Sequence, residues 1–384
     1  MRLSPTQRIP SVACFLIIGL QAGGAGTTWA SAEPAAVGAM STLAARRAPA
    51  PEDTGRVARR LRELVEAAGI PGASLAELRG GRIVAAWGAG VTTPGGAPVD
   101  SLTVFEGASL TKPMVAAGVL RMAARGEIDL DRPLFRYLAY PDIERDPRYR
   151  RITTRMVLSH TTGFPNWRRA SPLTIQFEPG SSFGYSGEGF VYLQRVIEHL
   201  TGEDLAAWAR REVLEPAKMH RSSLVWEERF AANVALPHDP FGGALPKQHP
   251  AAANAAWSLH TTAGDYARLL LAIRDGSLVG ATWTRAMRSP AIAVVDGVTW
   301  GLGVGLQGTG DSLAVWHWGD NTGFKAFAIV FQHSGDGVVY LSNADHGMSI
   351  VHELLTAAFG AGQAAERYLD YERFDAAPSP GPPR

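Results

Sequence analysis

The sequence predicts a mixed α/β fold (α+β), in which an antiparallel sheet is flanked by helices and interrupted by an inserted, mainly helical subdomain. Three observations predict it. Apolar runs bounded by turn residues, typical of strands, lie near the start and near the end of the chain. Between them, over about 113–289, helical periodicity prevails. A chain of 384 residues, 46% of them hydrophobic, is long enough to bury a large core.

The first residues have the anatomy of a secretory signal peptide. Two arginines precede an apolar run over 12–20, and a small-residue cleavage signal lies near Ala32. The run is shorter than the ~20 residues that span a bilayer. We therefore expect 1–32 to be removed, leaving a secreted or periplasmic protein with no stable membrane span. Residues 33–52, rich in Ala and Pro, read as a linker.

The folded domain is predicted over 53–365. Its first elements are a helix over 54–68, with apolar residues at helical spacing, and a strand hairpin over 73–78 and 83–87. Further helices are predicted over 113–124, 155–159, 190–200, 204–213, 262–274 and 350–359. Further strands are predicted over 300–306, 313–317, 327–331 and 338–341. A segment rich in Pro, Gly and His, 238–253, is expected to be a surface loop that shapes the pocket, and 366–384 a disordered tail.

The charge balance narrows the class of partner. The chain has 37 basic and 36 acidic residues, which gives a net charge of +1. It therefore lacks the large excess of basic residues that is typical of proteins that bind nucleic acids or anionic membrane surfaces. We therefore expect no nucleic-acid partner. A small-molecule ester, amide or peptide substrate is the expected partner.

The sharpest local signal is the segment Ser109-Leu-Thr-Lys112. Residues three apart share a face of a helix, so the Lys112 amine can reach the Ser109 hydroxyl and accept its proton if burial lowers the lysine pKa. An arginine stays protonated and could not do this, and the chain has only four lysines against 33 arginines. The alternative is a solvated lysine near a helix start.

Two further segments contain groups suited to acyl transfer. Tyr185 lies in the turn Phe-Gly-Tyr-Ser-Gly before a helical segment, where it can act as a second general base or relay a proton. His317-Trp-Gly-Asp320 ends a predicted strand, and Gly319 there allows close approach of a ligand to the backbone. The alternatives are a tyrosine packed on the helix start and a strand end with a satisfied histidine.

Taken in order, these three segments resemble the motifs of the serine β-lactamase and penicillin-binding-protein superfamily, in its branch of class C β-lactamases, esterases and D-peptidases. That family combines a Ser-x-x-Lys, a Tyr-x-Asn and a Lys-Thr-Gly or His-x-Gly. The segments Leu-Ser-His-Thr-Thr-Gly at 158–163, Phe-Glu-Pro-Gly at 177–180 and Ala-Gly-Asp at 263–265 are similar to family sequences as well. The resemblance covers roughly 55–360 and implies a β-lactamase/transpeptidase-like fold.

The resemblance also implies residue roles. Ser109 is the expected nucleophile, Lys112 its deprotonating partner, and Tyr185 a shared base that protonates the leaving group. The backbone N–H groups of Ser109 and Asp320 are expected to form the oxyanion hole, and no metal or organic cofactor is implied. Which of Lys112 and Tyr185 takes the first proton stays open. His160, the histidine that a Ser–His triad would need, is expected to be structural.

Two departures from the family pattern bear on the substrate. Gly187 stands where the pattern has Asn, so an amide that would hold a substrate carbonyl is missing. His317-Trp318 replaces Lys-Thr, which removes a fixed cation and a hydroxyl suited to a substrate carboxylate. We therefore rank an esterase-like acyl hydrolase first. A D-peptidase or β-lactamase, and a non-turnover penicillin- or peptidoglycan-binding sensor, remain as alternatives.

Overall fold

The structure is a computed structural model that describes residues 55–168 and 172–376. The helices of that part are α1 (Arg56–Ala67), α2 (Thr111–Ala124), α3 (Thr154–Leu158), α4 (Gly187–Thr201), α5 (Leu205–Ala209), α6 (Ala263–Arg274), α7 (Ala281–Met287), α8 (Val351–Phe359) and α9 (Ala364–Leu369). The strands are β1 (Gly72–Arg79), β2 (Arg82–Gly90), β3 (Phe105–Ala108), β4 (Leu259–Thr261), β5 (Ile292–Val295), β6 (Val298–Trp300), β7 (Gly305–Gln307), β8 (Ala314–Asn321), β9 (Phe324–Phe331) and β10 (Gly337–Ser342). The predicted signal peptide and linker lie outside the described residues.

One antiparallel sheet joins the two ends of the folded chain. Its strand order is β2-β1-β10-β9-β8-β7-β6-β5. The hairpin β1–β2 turns at Gly80 and Gly81, both with positive φ, and β1 pairs with β10 so that Ala73 lies opposite Ser342. The predicted fold class is therefore confirmed: strands from both ends of the domain share one sheet, and the helical segment is inserted between them.

Helices cover both faces of the sheet. On one face α1 packs against α8, and the apolar stripe of α1 that includes Val57, Leu61 and Leu64 is buried, as its periodicity predicts. On the other face α6 packs on β1 and β10, with α2 in the same core. Strand β8 alternates between these cores, because Val315 packs in one and Trp316 in the other. Among the described helices, none combines the length and the apolar character of a membrane span.

A second, two-stranded sheet was not predicted. Strand β3 pairs with β4, with Phe105 opposite Thr261, and β3 also packs against β8 and β9. Both strands are short and buried, and their partners are far apart in sequence, so neither gives the alternating pattern of a half-exposed strand. This sheet matters because its first strand leads directly into the Ser109 segment.

The prediction of one strand over 300–306 is wrong. The chain forms β6 and β7 there, joined by a tight turn in which the Gly301 N–H donates to the Val304 carbonyl. Gly303 has φ of +81°, and a Cβ on it would lie 2.3 Å from the Ala116 Cβ of α2. The turn therefore brings the chain against the helix that carries Lys112, at a place where only glycine fits.

The prediction of a disordered tail from 366 is wrong for its first part. Residues 364–369 form α9, in which Ala365 is fully buried and Tyr368 packs on Trp316 with ring centres 5.9 Å apart. Burial of these side chains against the outer strands stabilises the segment, and the polar character of its sequence concealed this. Residues 377–384 lie outside the described residues.

The predicted loop over 238–253 contains neither helix nor strand. Two of its side chains nevertheless point inward. His238 is fully buried, and its Nδ1 lies 2.9 Å from the Asn343 carbonyl oxygen. Lys247 forms an ion pair with Glu106 of β3. The loop is therefore tied to the strand that precedes Ser109.

Candidate active site

Ser109 lies in the tight connection between β3 and α2. The residue before it, Ala108, has φ of +47°, a left-handed conformation that non-glycine residues rarely adopt. The Leu110 N–H closes the turn by donating to the Gly107 carbonyl at 2.9 Å. This geometry places the Ser109 side chain at the N-terminal end of α2, facing the side chain one helical turn further on.

That side chain is Lys112. Its Nζ lies 2.9 Å from Ser109 Oγ and donates a hydrogen bond to the Ala256 carbonyl at 2.8 Å. Lys112 is fully buried, and this desolvation lowers its pKa from 10.5 to about 7. The amine is therefore substantially neutral near pH 7, with a lone pair available for the Ser109 proton. Sequence reasoning missed the Ala256 carbonyl, because a backbone acceptor leaves no signature in the sequence.

Tyr185 lies close to both Lys112 and Ser109. Lys112 Nζ is 4.8 Å from the centre of its ring. Burial raises the pKa of Tyr185 well above its ordinary value, and the adjacent Ser109 hydroxyl lowers it only in part. The phenol oxygen is buried and makes no regular hydrogen bond within the described part of the chain. Tyr185 is therefore a neutral phenol whose proton is available to a group that enters the site.

His160 supports the turn that carries Tyr185. Its Nδ1 accepts a hydrogen bond of 3.0 Å from the Ser186 N–H, and its backbone carbonyl accepts one of 2.8 Å from the Gly184 N–H. The ring packs on Tyr185 with centres 4.3 Å apart. Burial, followed by electrostatic interactions with the neighbouring Lys112 and His317, lowers the pKa of His160 well below its ordinary value. Because Nδ1 accepts a hydrogen bond, a neutral ring carries its proton on Nε2. His160 thus contacts the backbone of the Tyr185 turn, and its purely structural role stays a prediction.

The third motif lies on β8 and carries no cation. His317 is buried, and its Nδ1 lies 2.7 Å from the Trp318 carbonyl oxygen. Burial and the nearby Lys112 lower the pKa of His317 to about 3, so the ring is neutral near pH 7. Trp318 is only 9% exposed and packs on Tyr185 with ring centres 4.7 Å apart. Trp318 therefore packs against the Tyr185 ring and offers little surface to a ligand.

Two glycines of the motifs are explained by close contacts. A Cβ on Gly319 would lie 2.3 Å from the Gly107 carbonyl oxygen. The space that a side chain at residue 319 would need is thus filled by β3 of the same chain. That a ligand approaches this backbone stays a prediction. A Cβ on Gly187 would lie 2.7 Å from the Trp167 indole. The space beside Gly187 is therefore already filled, by a residue that sequence reasoning did not single out.

Asp320 is held by its side chain. One oxygen lies 3.0 Å from Lys325 Nζ, and the other accepts a hydrogen bond of 2.9 Å from the Tyr371 hydroxyl. Tyr371 belongs to the segment that follows α9. These contacts fix the end of β8, where the Asp320 N–H is predicted to contribute to an oxyanion hole together with the Ser109 N–H.

A cavity of about 360 Å³ borders this arrangement. It is lined by side chains that include Glu106, Leu245, Gln248, Trp257 and Asn321. Trp257 follows the residue whose carbonyl binds Lys112, and Asn321 follows Asp320, so the cavity lies near the predicted site, although Ser109, Lys112 and Tyr185 do not line it. Three of its lining residues, Leu245, Pro246 and Gln248, come from the 238–253 loop. That this loop shapes the substrate pocket stays a prediction. Within the described ranges no group of three His, Cys, Asp or Glu side chains is arranged as metal ligands would be.

Comparison with protein families matches residues 57–363 to the family described as Beta-lactamase. Among characterised proteins, the chain is 29% identical to esterase EstB of Burkholderia gladioli, over 66% of this chain and 81% of that protein. It is 27% identical to penicillin-binding protein 4 of Amycolatopsis lactamdurans, over 54% of this chain and 57% of that protein. The chain thus spans little more than half of the second relative.

Solved structures show the same likeness of fold. The octameric penicillin-binding protein homologue from Pyrococcus abyssi superposes with a TM-score of 0.69 at 22% identity, covering 80% of this chain and 79% of that one. The D-amino acid amidase from Ochrobactrum anthropi SV3, complexed with L-phenylalanine, superposes with a TM-score of 0.66 at 23% identity, covering 76% of this chain and 91% of that one.

Proposed function

The chain belongs to the beta-lactamase family and is a serine hydrolase, and on that premise we propose that it hydrolyses small carboxylic esters through an acyl-enzyme on Ser109. The observation that carries the choice of substrate is the uncharged third motif. His317 is buried and neutral, with Nδ1 committed to a backbone carbonyl. It offers no fixed positive charge to the carboxylate of a β-lactam or of a peptide terminus, whereas a neutral ester needs none.

In the proposed acylation step, Lys112 Nζ accepts the proton of Ser109 Oγ, and Oγ forms a bond to the ester carbonyl carbon. The N–H groups of Ser109 and Asp320 would stabilise the negative charge on the carbonyl oxygen. When the ester C–O bond breaks, the alkoxide takes the proton of Tyr185 and leaves as an alcohol. Lys112 then returns its proton to Tyr185. The order of pKa values, lower for the amine than for the phenol, supports Lys112 as the first acceptor.

Deacylation reverses these roles. A water molecule transfers one proton to the Tyr185–Lys112 pair while its oxygen attacks the acyl carbon. The bond from this carbon to Ser109 Oγ breaks, Oγ recovers the proton, and the carboxylic acid leaves. The step needs no group beyond those already present and water.

The test is a time course of p-nitrophenyl acetate and nitrocefin hydrolysis by the mature protein and by Ser109→Ala. We expect ester turnover that falls about a thousandfold or more in Ser109→Ala, with little nitrocefin cleavage by either protein. The exposed Ser181 supplies a matched control, because Ser181→Ala removes the same hydroxyl on the surface and is expected to change nothing.

Other outcomes identify the alternatives. Rapid nitrocefin turnover would favour a β-lactamase, and cleavage of a peptide ending in D-Ala with negligible ester turnover would favour a D-peptidase. A stoichiometric burst of p-nitrophenol followed by no turnover would favour a sensor that acylates without releasing product. Full activity of Ser109→Ala would overturn the assignment of the nucleophile.

We also propose that the protein is exported. The proposal is supported by the basic start, the apolar run over 12–20 and the small residues around Ala32. Expression of the full chain in a bacterial host, followed by mass measurement of the periplasmic protein, tests it. We expect a mass that corresponds to cleavage near Ala32. A full-length protein confined to the cytoplasm would contradict it.

A further inference from the structure

Trp167 is an exposed aromatic residue beside the turn that carries Tyr185. Its side chain is 44% exposed, although large apolar side chains are normally covered. On its covered side, the indole lies where the side chain of residue 187 would begin, since a Cβ there would be 2.7 Å from Trp167 Cη2. The indole therefore occupies the space that an asparagine at the third position of the second motif would need.

The backbone on both sides of Trp167 is firmly held. On the N-terminal side, the carbonyl oxygen of Asn166 accepts hydrogen bonds from the Gly187 and Glu188 N–H groups, at 3.0 and 3.1 Å. On the C-terminal side, Arg168 forms an ion pair with Glu188 at 2.6 Å. The indole is thus carried by a segment fastened to the start of α4.

A partly exposed aromatic ring on a fixed backbone is a typical ligand contact, because it loses little conformational entropy when a ligand covers it. Resting on the proposed function, we infer that Trp167 is a specificity-determining residue, whose indole forms an apolar wall against the acyl group of the ester. Where an asparagine would offer an amide to a polar substrate carbonyl, this chain offers an aromatic face. The substrate class that fits is an ester with an apolar, flat acyl group.

The test varies the acyl group and keeps the leaving group. The wild-type protein, Trp167→Ala and Trp167→Phe are compared on p-nitrophenyl acetate and p-nitrophenyl phenylacetate. We expect Trp167→Ala to lower kcat/KM for the phenylacetate about tenfold and for the acetate less than about twofold, since an apolar contact of this size discriminates by that order. Trp167→Phe keeps an aromatic face and is expected to restore most of the loss.

A control variant separates this effect from the loss of any exposed aromatic side chain. Phe241 belongs to the 238–253 loop but is 95% exposed and does not line the cavity, so Phe241→Ala is expected to leave the ratio of the two esters unchanged. An equal fall for both esters in Trp167→Ala, no change, or the same change in Phe241→Ala would overturn the inference.

Failure of the proposed function would look different, because the wild-type protein would then turn over neither ester. In that case, the rates at which methyl and benzyl p-nitrophenyl phosphonates label Ser109 still report on Trp167, because labelling requires no turnover. In Trp167→Ala, we expect the rate of labelling by the benzyl reagent to fall about tenfold and the rate of labelling by the methyl reagent to change little. Equal labelling rates for the two reagents in the wild-type protein would overturn the inference.

Discussion

Two buried lysines border the predicted active site, and their surroundings differ in one respect. Lys112 contacts the Ser109 hydroxyl and a backbone carbonyl, with no carboxylate partner in the described part of the chain. Lys325 of β9 is paired with Asp320 and Asp345, each at 3.0 Å. Burial without a compensating charge favours the neutral amine, whereas carboxylates stabilise the ammonium ion. In the proposed function, Lys112 is therefore the base, whereas Lys325 is held in ion pairs.

The other two lysines extend this comparison. Lys247 is largely buried and paired with Glu106, which ties the 238–253 loop to β3, whereas Lys218 is exposed. Three of the four lysines thus lie in the interior around the predicted site, in a chain with 33 arginines. The compact ammonium group fits such positions, and only lysine can become neutral there.

The largest effect is expected from removal of the Lys112 amine, which is hydrogen-bonded but forms no ion pair within the described residues. Lys112→Met retains the volume of the side chain and removes the proton acceptor, so ester hydrolysis should fall about a thousandfold. Thermal unfolding should occur at or above the wild-type temperature, because the substitution removes a buried polar group at a functional site. If the activity of Lys112→Met stayed within tenfold of the wild type, Lys112 would not be the base that distinguishes it from Lys325.

The pH dependence of catalysis follows from the pKa of Lys112. Because burial lowers this pKa to about 7, the reactive neutral amine is lost as the pH falls through 7. We expect kcat/KM for p-nitrophenyl acetate to fall about tenfold per pH unit below pH 6 and to level off above pH 8. A profile that still rises between pH 8 and 10 would indicate an unshifted lysine.

Stability should depend on pH through the same group. Between about pH 7 and 10.5, the unfolded chain binds a proton at Lys112 that the folded chain does not. The free energy of unfolding therefore gains a contribution that rises with pH over this window, by up to about 1.4 kcal/mol per unit. Urea unfolding at several pH values measures it, and Lys112→Met should lack this contribution. Parallel curves for the two proteins would contradict the expectation.

Replacement of Lys325, which forms two ion pairs, should lower stability more than activity. Lys325→Met leaves two carboxylates without their cation, and because these are partly exposed we expect a loss of about 2 kcal/mol in the free energy of unfolding. Residual activity should remain well above that of Lys112→Met. Chemical denaturation and ester assays on the same samples measure both quantities, and a stable but inactive Lys325→Met would reverse the assignment.

The smallest effect concerns the contact of Tyr371 with Asp320. Tyr371→Phe removes the hydrogen bond to the aspartate, which is expected to loosen the end of β8 and lower kcat about threefold with little change in KM. Tyr137→Phe supplies a comparison, because that hydroxyl binds the Asp129 N–H. Equal effects of the two variants would indicate a general loss of stability.

The sequence predicted the parts of the fold that local patterns define. The α1 stripe and the Gly80–Gly81 hairpin are local, and both are confirmed. The β3–β4 sheet was missed because it pairs short buried segments that are about 150 residues apart in sequence. The break between β6 and β7 was missed because it is caused by the close approach of α2 to Gly303. Contacts between distant segments leave no periodicity in the sequence.

In the predicted site, too, the local pattern could be predicted from the sequence, whereas the contacts between distant segments could not. The spacing of Ser109 and Lys112 is a local pattern, and the structure brings the two groups within 2.9 Å. Trp167 and Tyr371 could not be singled out, because each reaches the predicted site only through contacts with a segment that is distant in sequence. The side-chain contact of Asp320 with Tyr371 could not be predicted either, because the C-terminal segment had been expected to be disordered. The role of the Asp320 N–H in an oxyanion hole stays a prediction.

Burial is expected to lower the pKa of Lys112 to about 7, which leaves about half of the amine neutral at that pH, and NMR tests this most directly. Because the chain has only four lysines, the protein labelled with ¹³Cε-lysine should give few resonances, and the one missing from Lys112→Met identifies Lys112. We predict that this resonance titrates with a pKa of about 7. Titration above pH 10, as for an ordinary lysine, would contradict the account.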